Sequence, residues 1–206
     1  FWQWIDRGDP QSLLASAIFF DFRALWGEEG LAVQLRADIA ARAQGNPRFL
    51  KQMSDNALTN RPPLNWFGEL SGQEDAAGVE GIDLKMSGSV PFVDAARIFA
   101  LAAGVTATNT VERLKQSAAA RGIPVEEIRA WCDAFEYVQL LRLREQHRRV
   151  AHGARDGESA NPNVVPLAML PDLDRRILKE AMRQIRKGPQ RLELGLQPRQ
   201  PLGDLA

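Results

Sequence analysis

Helix-start and helix-stop signals alternate along this chain, and that punctuation limits the folds open to it more than any other feature. Asp9, Asn46 and Asn109 each offer a side-chain oxygen to free backbone N–H groups just ahead of a run with helical periodicity. Pro10 and Pro47 follow the first two at the opening helical position, where a missing N–H costs nothing. Gly45, Gly104 and Gly122 stand where a C-terminal residue can turn left-handed. This spacing predicts helices over Pro10–Trp26, Glu28–Gln44, Pro47–Thr59, Phe92–Ala103, Thr110–Arg121, Pro124–Val150 and Leu173–Lys187.

Between the third and fourth of these, residues 64–89 are rich in Gly and polar residues, and helix is not expected. Trp66–Leu70 and Gly81–Lys85 read as two strands of a hairpin around a Gln73–Gly78 loop. Residues His152–Pro166 read as a loop, and Gly188-Pro189 predicts that the last helix kinks or stops. The fold class is therefore all-α, a helical bundle with a small β-hairpin or loop insertion around residues 64–89.

Composition narrows function by exclusion. The 206 residues carry 26 basic and 26 acidic side chains, so no overall field draws the chain to nucleic acid or an anionic membrane. Arg175, Arg176, Lys179, Arg183, Arg186 and Lys187 line up on the last helix, but a basic face without interleaved aromatics reads as a solvated exterior, and nucleic acid is disfavoured as a partner. No apolar run of bilayer length stands out, and no membrane partner is expected. The single cysteine, Cys132, precludes a disulfide framework within the chain and implies a reducing, cytoplasmic setting. Phosphate-cradling loops, dinucleotide fingerprints and zinc-hydrolase motifs are not found. His147 and His152 lack an acidic partner at ligand spacing, so no metal site is expected. Nor is there a Gly-Ser pair followed by Asp-x-Asp on a strand, the set that holds divalent ions against a triphosphate, so no catalytic residue is assigned and the chain is not expected to act as an enzyme alone.

What remains is polar residues on faces that ought to be apolar. With about 100° per residue, Asp21 falls among Leu14, Ala17, Ile18, Ala24 and Leu25 on the inward side of the first helix. Arg23 lies on the partly exposed side. A buried carboxylate needs a cation, several donors or a ligand. Asp94 and Arg97, three apart, are neighbours on an otherwise apolar helix, and Arg97 either satisfies Asp94 or presents its fork to an anion. On the long helix the stripe Ile128, Trp131, Phe135, Val138 gives way to Gln139, Arg142, Gln146 and Arg149, either a bundle end in water or the wall of a polar cleft.

These residues sit within ordered blocks: Ala17-Ile-Phe-Phe-Asp-Phe-Arg23, Asn46-Pro-Arg-Phe-Leu50, Asn60-Arg-Pro-Pro-Leu64, Ile82-Asp-Leu-Lys85, Pro91-Phe-Val-Asp-Ala-Ala-Arg97, Ala102-Ala-Gly, Thr108-Asn-Thr-Val-Glu-Arg-Leu114 and Arg175-Arg-Ile-Leu-Lys-Glu-Ala181. Together, from about Pro10 to Leu194, they resemble the nucleotidyltransferase substrate-binding domain family. The resemblance implies a helical C-terminal domain that follows a catalytic domain related to the PII uridylyltransferase, in bacterial signal-transduction proteins carrying cyclic-nucleotide-binding and CBS domains upstream. On this reading residues 1–9 are a linker from a missing nucleotidyltransferase domain, residues 10–194 the substrate-binding domain, and residues 195–206 a flexible tail. The polar positions in the matching blocks are Asp21, Arg23, Asn60, Arg61, Lys85, Asp94, Arg97, Asn109, Thr110, Arg113 and Arg142. Of these, Asp21, Arg23, Lys85, Asp94, Arg97, Asn109, Arg113 and Arg142 are the expected substrate-binding set. They would hold an acceptor, a nucleotide or a protein, toward the catalytic partner. The chain itself is expected to carry no cofactor, while Mg and a nucleoside triphosphate belong to the missing domain. The competing reading is a helical interaction or homodimerisation module with no ligand of its own.

Overall fold

The structure, a computed structural model, describes residues 1–7, 17–74, 78, 80–153 and 159–196. Among them are seven α-helices: α1 (Trp2–Arg7), α2 (Glu29–Gln44), α3 (Pro47–Ala57), α4 (Val90–Ala103), α5 (Thr110–Arg121), α6 (Val125–His152) and α7 (Asp172–Leu196). A small antiparallel sheet of β1 (Gln73–Glu74), β2 (Glu80–Asp83) and β3 (Val164–Pro166) accompanies them in the order β1-β2-β3. The chain is mostly helical with a small β insertion, as the cap spacing implies. Asn46 accepts from the Phe49 N–H at 3.0 Å and Asn109 from the Glu112 N–H at 3.1 Å, so two of the anticipated caps close their helices. Gly104 and Gly122 end α4 and α5 with left-handed backbones, whereas Gly45 ends α2 at φ −78°, an ordinary right-handed stop.

The segment before α2 departs from expectation. The first half of the predicted Pro10–Trp26 helix lies outside the described residues, and the second half is a 3-10 turn, Ala17–Asp21, followed by irregular chain to Glu28. The aromatic packing explains this. Phe20 and Phe22 both contact the Phe1 ring, at centroid distances of 5.6 Å each, and residues two apart on an α-helix point to opposite sides. Leaving the helix lets both rings join the core. Leu25, assigned to the inward face by helical phase, is exposed, as is Trp26 after it. The N-terminal α1 docks through Ile5, which is buried, and Asn46 Nδ2 donates to the Ile5 carbonyl at 2.9 Å.

The region of residues 64–89 differs in detail as well. Trp66–Leu70 is not a strand. Asn65 accepts from the Glu69 N–H through its side chain, Gly68 takes φ +76°, and a lone Leu64–Leu70 bridge closes a tight turn with Trp66 and Phe67 at its exposed tip. The hairpin instead pairs β1 with β2, Gln73 opposite Gly81. β3 arises from the expected loop and pairs Ile82 with Val165. Pro166, which cannot donate to a ladder, sits on this edge strand. At Gly81 a Cβ would lie 2.6 Å from Val164 Cγ1 and 3.0 Å from the Val165 carbonyl, so the close approach of β3 requires glycine.

Leu84–Ser89, expected to be non-helical, is a π-helical turn that runs directly into α4. Asp83 caps it, accepting from the Lys85 and Met86 N–H groups at 2.8 Å each. The wider turn makes physical sense ahead of Pro91, which has no N–H to give and would press on the carbonyl four residues back in a regular helix. Leu84–Ala103 is thus one continuous segment long and apolar enough to cross a bilayer, contrary to the expectation that none exists. It is instead largely enclosed by protein and threads both apolar clusters of the core. Ala96, Ile98 and Phe99 join Ile5, Phe20, Phe49, Leu114 and Trp131 in one cluster, while Leu84 and Phe92 join Ile82, Val138, Leu141, Val165, Leu178 and Met182 in the other. The last helix continues to Leu196 through Gly188 and Pro189, so it does not stop where those residues suggested, because packing along its earlier turns carries it. Of the expected tail, residues 197–206 lie outside the described residues.

Candidate functional site

Four of the expected residues converge. Arg97, on α4, forks onto Asp21, with Nε 3.2 Å from Oδ1 and Nη2 2.5 Å from Oδ2, while its Nη1 donates to Asp94 Oδ1 at 2.7 Å. Arg113, on α5, places Nη1 2.5 Å from Asp21 Oδ1 and donates from Nε to the Ala107 carbonyl at 2.7 Å. Both arginines are buried, at 4% exposure each. The network holds two cations and two carboxylates, so it is neutral within itself. Burial raises the Asp21 pKa, but the hydrogen bonds and charges of Arg97 and Arg113 outweigh it and hold the carboxyl below its ordinary value. For Asp94 burial wins, and its pKa lies above the ordinary value despite Arg97 beside it. Arg113 is pulled down, first by burial, with Asp21 opposing.

The other four expected residues stand apart from this network. Arg23 is exposed two residues beyond Asp21, and Asn109 serves as the cap of α5. Lys85 is exposed on the π turn, held by its backbone to Asp83. Arg142 lies on α6, where Nε donates to Asn163 Oδ1 at 2.9 Å. The polar stretch of α6 turns out to be neither a wet bundle end nor an open wall. Gln146 also donates to Asn163, and Arg149 donates to the Ser159 and Val164 carbonyls at 2.9 and 3.0 Å. These side chains clamp the strand-bearing return segment against the helix.

A cleft opens elsewhere, with a volume of about 640 Å³. Its walls come from the end of α3 (Ser54, Ala57) and the following Leu58, from α4 (Pro91, Ala95), from α7 (Ile185, Arg186) and from the segment Asn60–Trp66. Ser54 is 2% exposed and its hydroxyl has no hydrogen-bond partner. Among the described residues, the charged members of the lining are Arg61 and Arg186, both exposed, and none is a carboxylate. A second opening of about 450 Å³ shares Arg61, Pro62 and Leu64 and continues along the sheet past Gln73, Glu74, Asp83 and Asn161. α7 is held in place by the Tyr137 hydroxyl, 2.9 Å from Asp174 Oδ1, and by the Arg144–Asp174 ion pair. Burial, then the Asp174 hydrogen bond, raises the Tyr137 pKa and keeps that hydroxyl protonated.

Residues 47–195 match the family described as putative nucleotidyltransferase substrate binding domain, a span covering well over half of the chain. The chain belongs to this family. No curated protein and no solved structure matches it. The matched span contains every wall of the cleft and ends within α7. It leaves out Asp21, so the network ties the family domain to a segment that precedes the match.

Within the substrate-binding domain, the residues that line the cleft were only partly visible beforehand. Asn60 and Arg61 stand in a quoted block but outside the expected binding set, and Arg186 was read as part of a solvated face. Three others of that face are engaged locally: Lys179 pairs with Glu69, Arg183 with Glu180 at 3.6 Å, and Arg175 donates to the Leu167 carbonyl at 2.5 Å. Ser54 carries no signal in sequence, since a serine on a helix is ordinary until its surroundings are known.

Proposed function

We propose that this domain is the acceptor-recognition half of a bacterial nucleotidyltransferase of signal transduction, and that the cleft between α3, α4 and α7 receives the molecule to be modified. The observation that carries this reading is the cleft's composition among the described residues: mostly apolar walls and two guanidinium groups without a carboxylate. Family membership supports the association with a nucleotidyltransferase domain. The nucleotide, its Mg and the chemistry belong to that partner, acting in the cytoplasm under the control of upstream CBS or cyclic-nucleotide-binding domains. This chain contributes position, which turns a collision between two molecules into a reaction within one complex.

The buried network of Asp21, Asp94, Arg97 and Arg113 has another role in this reading. Its charges are already spent on one another, so it fixes how the N-terminal segment sits on α4 and α5 and binds no ligand. The test joins the domain to its nucleotidyltransferase partner and follows label from the α-phosphate of nucleoside triphosphates onto extract molecules. Arg61→Ala with Arg186→Ala lowers transfer at least about tenfold while triphosphate binding stays unchanged, as expected for lost acceptor binding. Transfer that ignores both substitutions, in a chain that sediments as a dimer, favours the interaction-module reading and refutes this one.

A further inference from the structure

Resting on the reading of the cleft as the substrate site, we propose that its ligand is a small aromatic anion: a flat ring carrying a phosphate or carboxylate. Each part answers one feature of the lining. Arg61 and Arg186 bring positive charge that no carboxylate among the described lining residues offsets, and guanidinium forks match phosphate and carboxylate oxygens two at a time. A cation would be repelled. Ala57, Leu58, Leu64, Pro91, Ala95 and Ile185 present apolar surface that a bare inorganic anion leaves unused.

Trp66 adds the ring. It lines the mouth of the cleft yet is 95% exposed, held there by the tight turn that Asn65 and Gly68 impose. An indole standing free beside cations is a stacking platform for a planar group, and stacking recovers the water contact that its exposure now costs. Ser54 also lines the cleft, but its hydroxyl oxygen is enclosed by protein and presents no hydrogen-bonding group to a ligand. The volume, about 640 Å³, accommodates a molecule the size of a nucleotide and is far too small for a folded partner.

The chain is titrated by calorimetry with adenosine 5′-monophosphate, phenyl phosphate and benzoate, and with adenosine and inorganic phosphate as the two halves of the chemistry. The ring-bearing anions bind, and each half alone binds at least about tenfold more weakly, since each forgoes either the charge-assisted hydrogen bonds or the apolar burial. Phenyl phosphate against benzoate tells which acid group is preferred. Arg61→Ala and Arg186→Ala each weaken binding about tenfold with no change in melting temperature, because both side chains are exposed. Trp66→Ala weakens the ring-bearing anions and leaves inorganic phosphate unaffected. Adenosine binding as well as its monophosphate, or affinity indifferent to both arginines, overturns the proposal. If none of the probes binds while nucleotidyl transfer still requires Arg61 and Arg186, the cleft takes a different acceptor and only this inference falls. If transfer is indifferent as well, the functional reading falls with it.

Discussion

Replacing Asp21 by Asn keeps the shape of the side chain and removes the one charge that Arg97 and Arg113 share. Both guanidinium groups are buried, and among the described residues the Arg97 fork without Asp21 keeps only Asp94, while Arg113 keeps only backbone carbonyls. Breaking a buried ion pair by deleting one partner costs about 3–5 kcal/mol. The Asp21 side chain retains 30% exposure, so water can reach the gap and the expected loss lies near the lower end, about 3 kcal/mol. For a chain of this size that lowers Tm by roughly 6–12 °C. The pH profile sharpens the test. The folded pKa of Asp21 lies below its ordinary 3.8, so its stabilisation is complete above 3.8 and is lost as pH falls through the folded value. Asp94 has a folded pKa above 3.8, so it favours the fold most at low pH, and that contribution declines as pH rises from 3.8 through the folded value. Asp21→Asn therefore flattens the acid limb of stability measured by thermal melts, whereas Asp94→Asn costs less at neutral pH and removes the opposing slope. An Asp21→Asn protein that melts within about 2 °C of the parent at neutral pH refutes the account of a shared buried counter-ion.

Gly81→Ala forces a Cβ into Val164 Cγ1 and the Val165 carbonyl, and denaturant unfolding should show a loss of about 1–3 kcal/mol from that overpacking. Asn109→Ala leaves the first turn of α5 uncapped, so unfolding free energy should fall by about 1 kcal/mol, with Asn109→Asp restoring most of it.

Local signals survived the passage from sequence to structure best. The caps at Asn46 and Asn109 depend on residues three apart, and the tertiary bond from Asn46 Nδ2 to the Ile5 carbonyl leaves the capping oxygen free for its own helix. Asp21 was singled out by helical phase and does face two cations, yet the helix that motivated the choice is absent from Ala17 onward. The residue turns inward because its neighbours Phe20 and Phe22 both seek the Phe1 ring. β3 was unreadable because three residues in a Pro- and Asn-rich stretch become a strand only when β2 lies beside them. The cleft was invisible for a similar reason. Ser54, Pro91 and Ile185 share no periodicity, and only the crossing of three helices brings them to one place.

The pairing of Ile82 with Val165 also bears on the order of assembly. During synthesis the β1–β2 hairpin emerges long before its third strand, and two short strands alone are barely stable in water. The sheet can close only after the whole of α6 has been made and has brought Val164 back to Gly81. A chain cut anywhere before Asn163 must therefore leave Ile82 and Leu84 without their cover, which makes this small sheet a late checkpoint on the integrity of the helices around it.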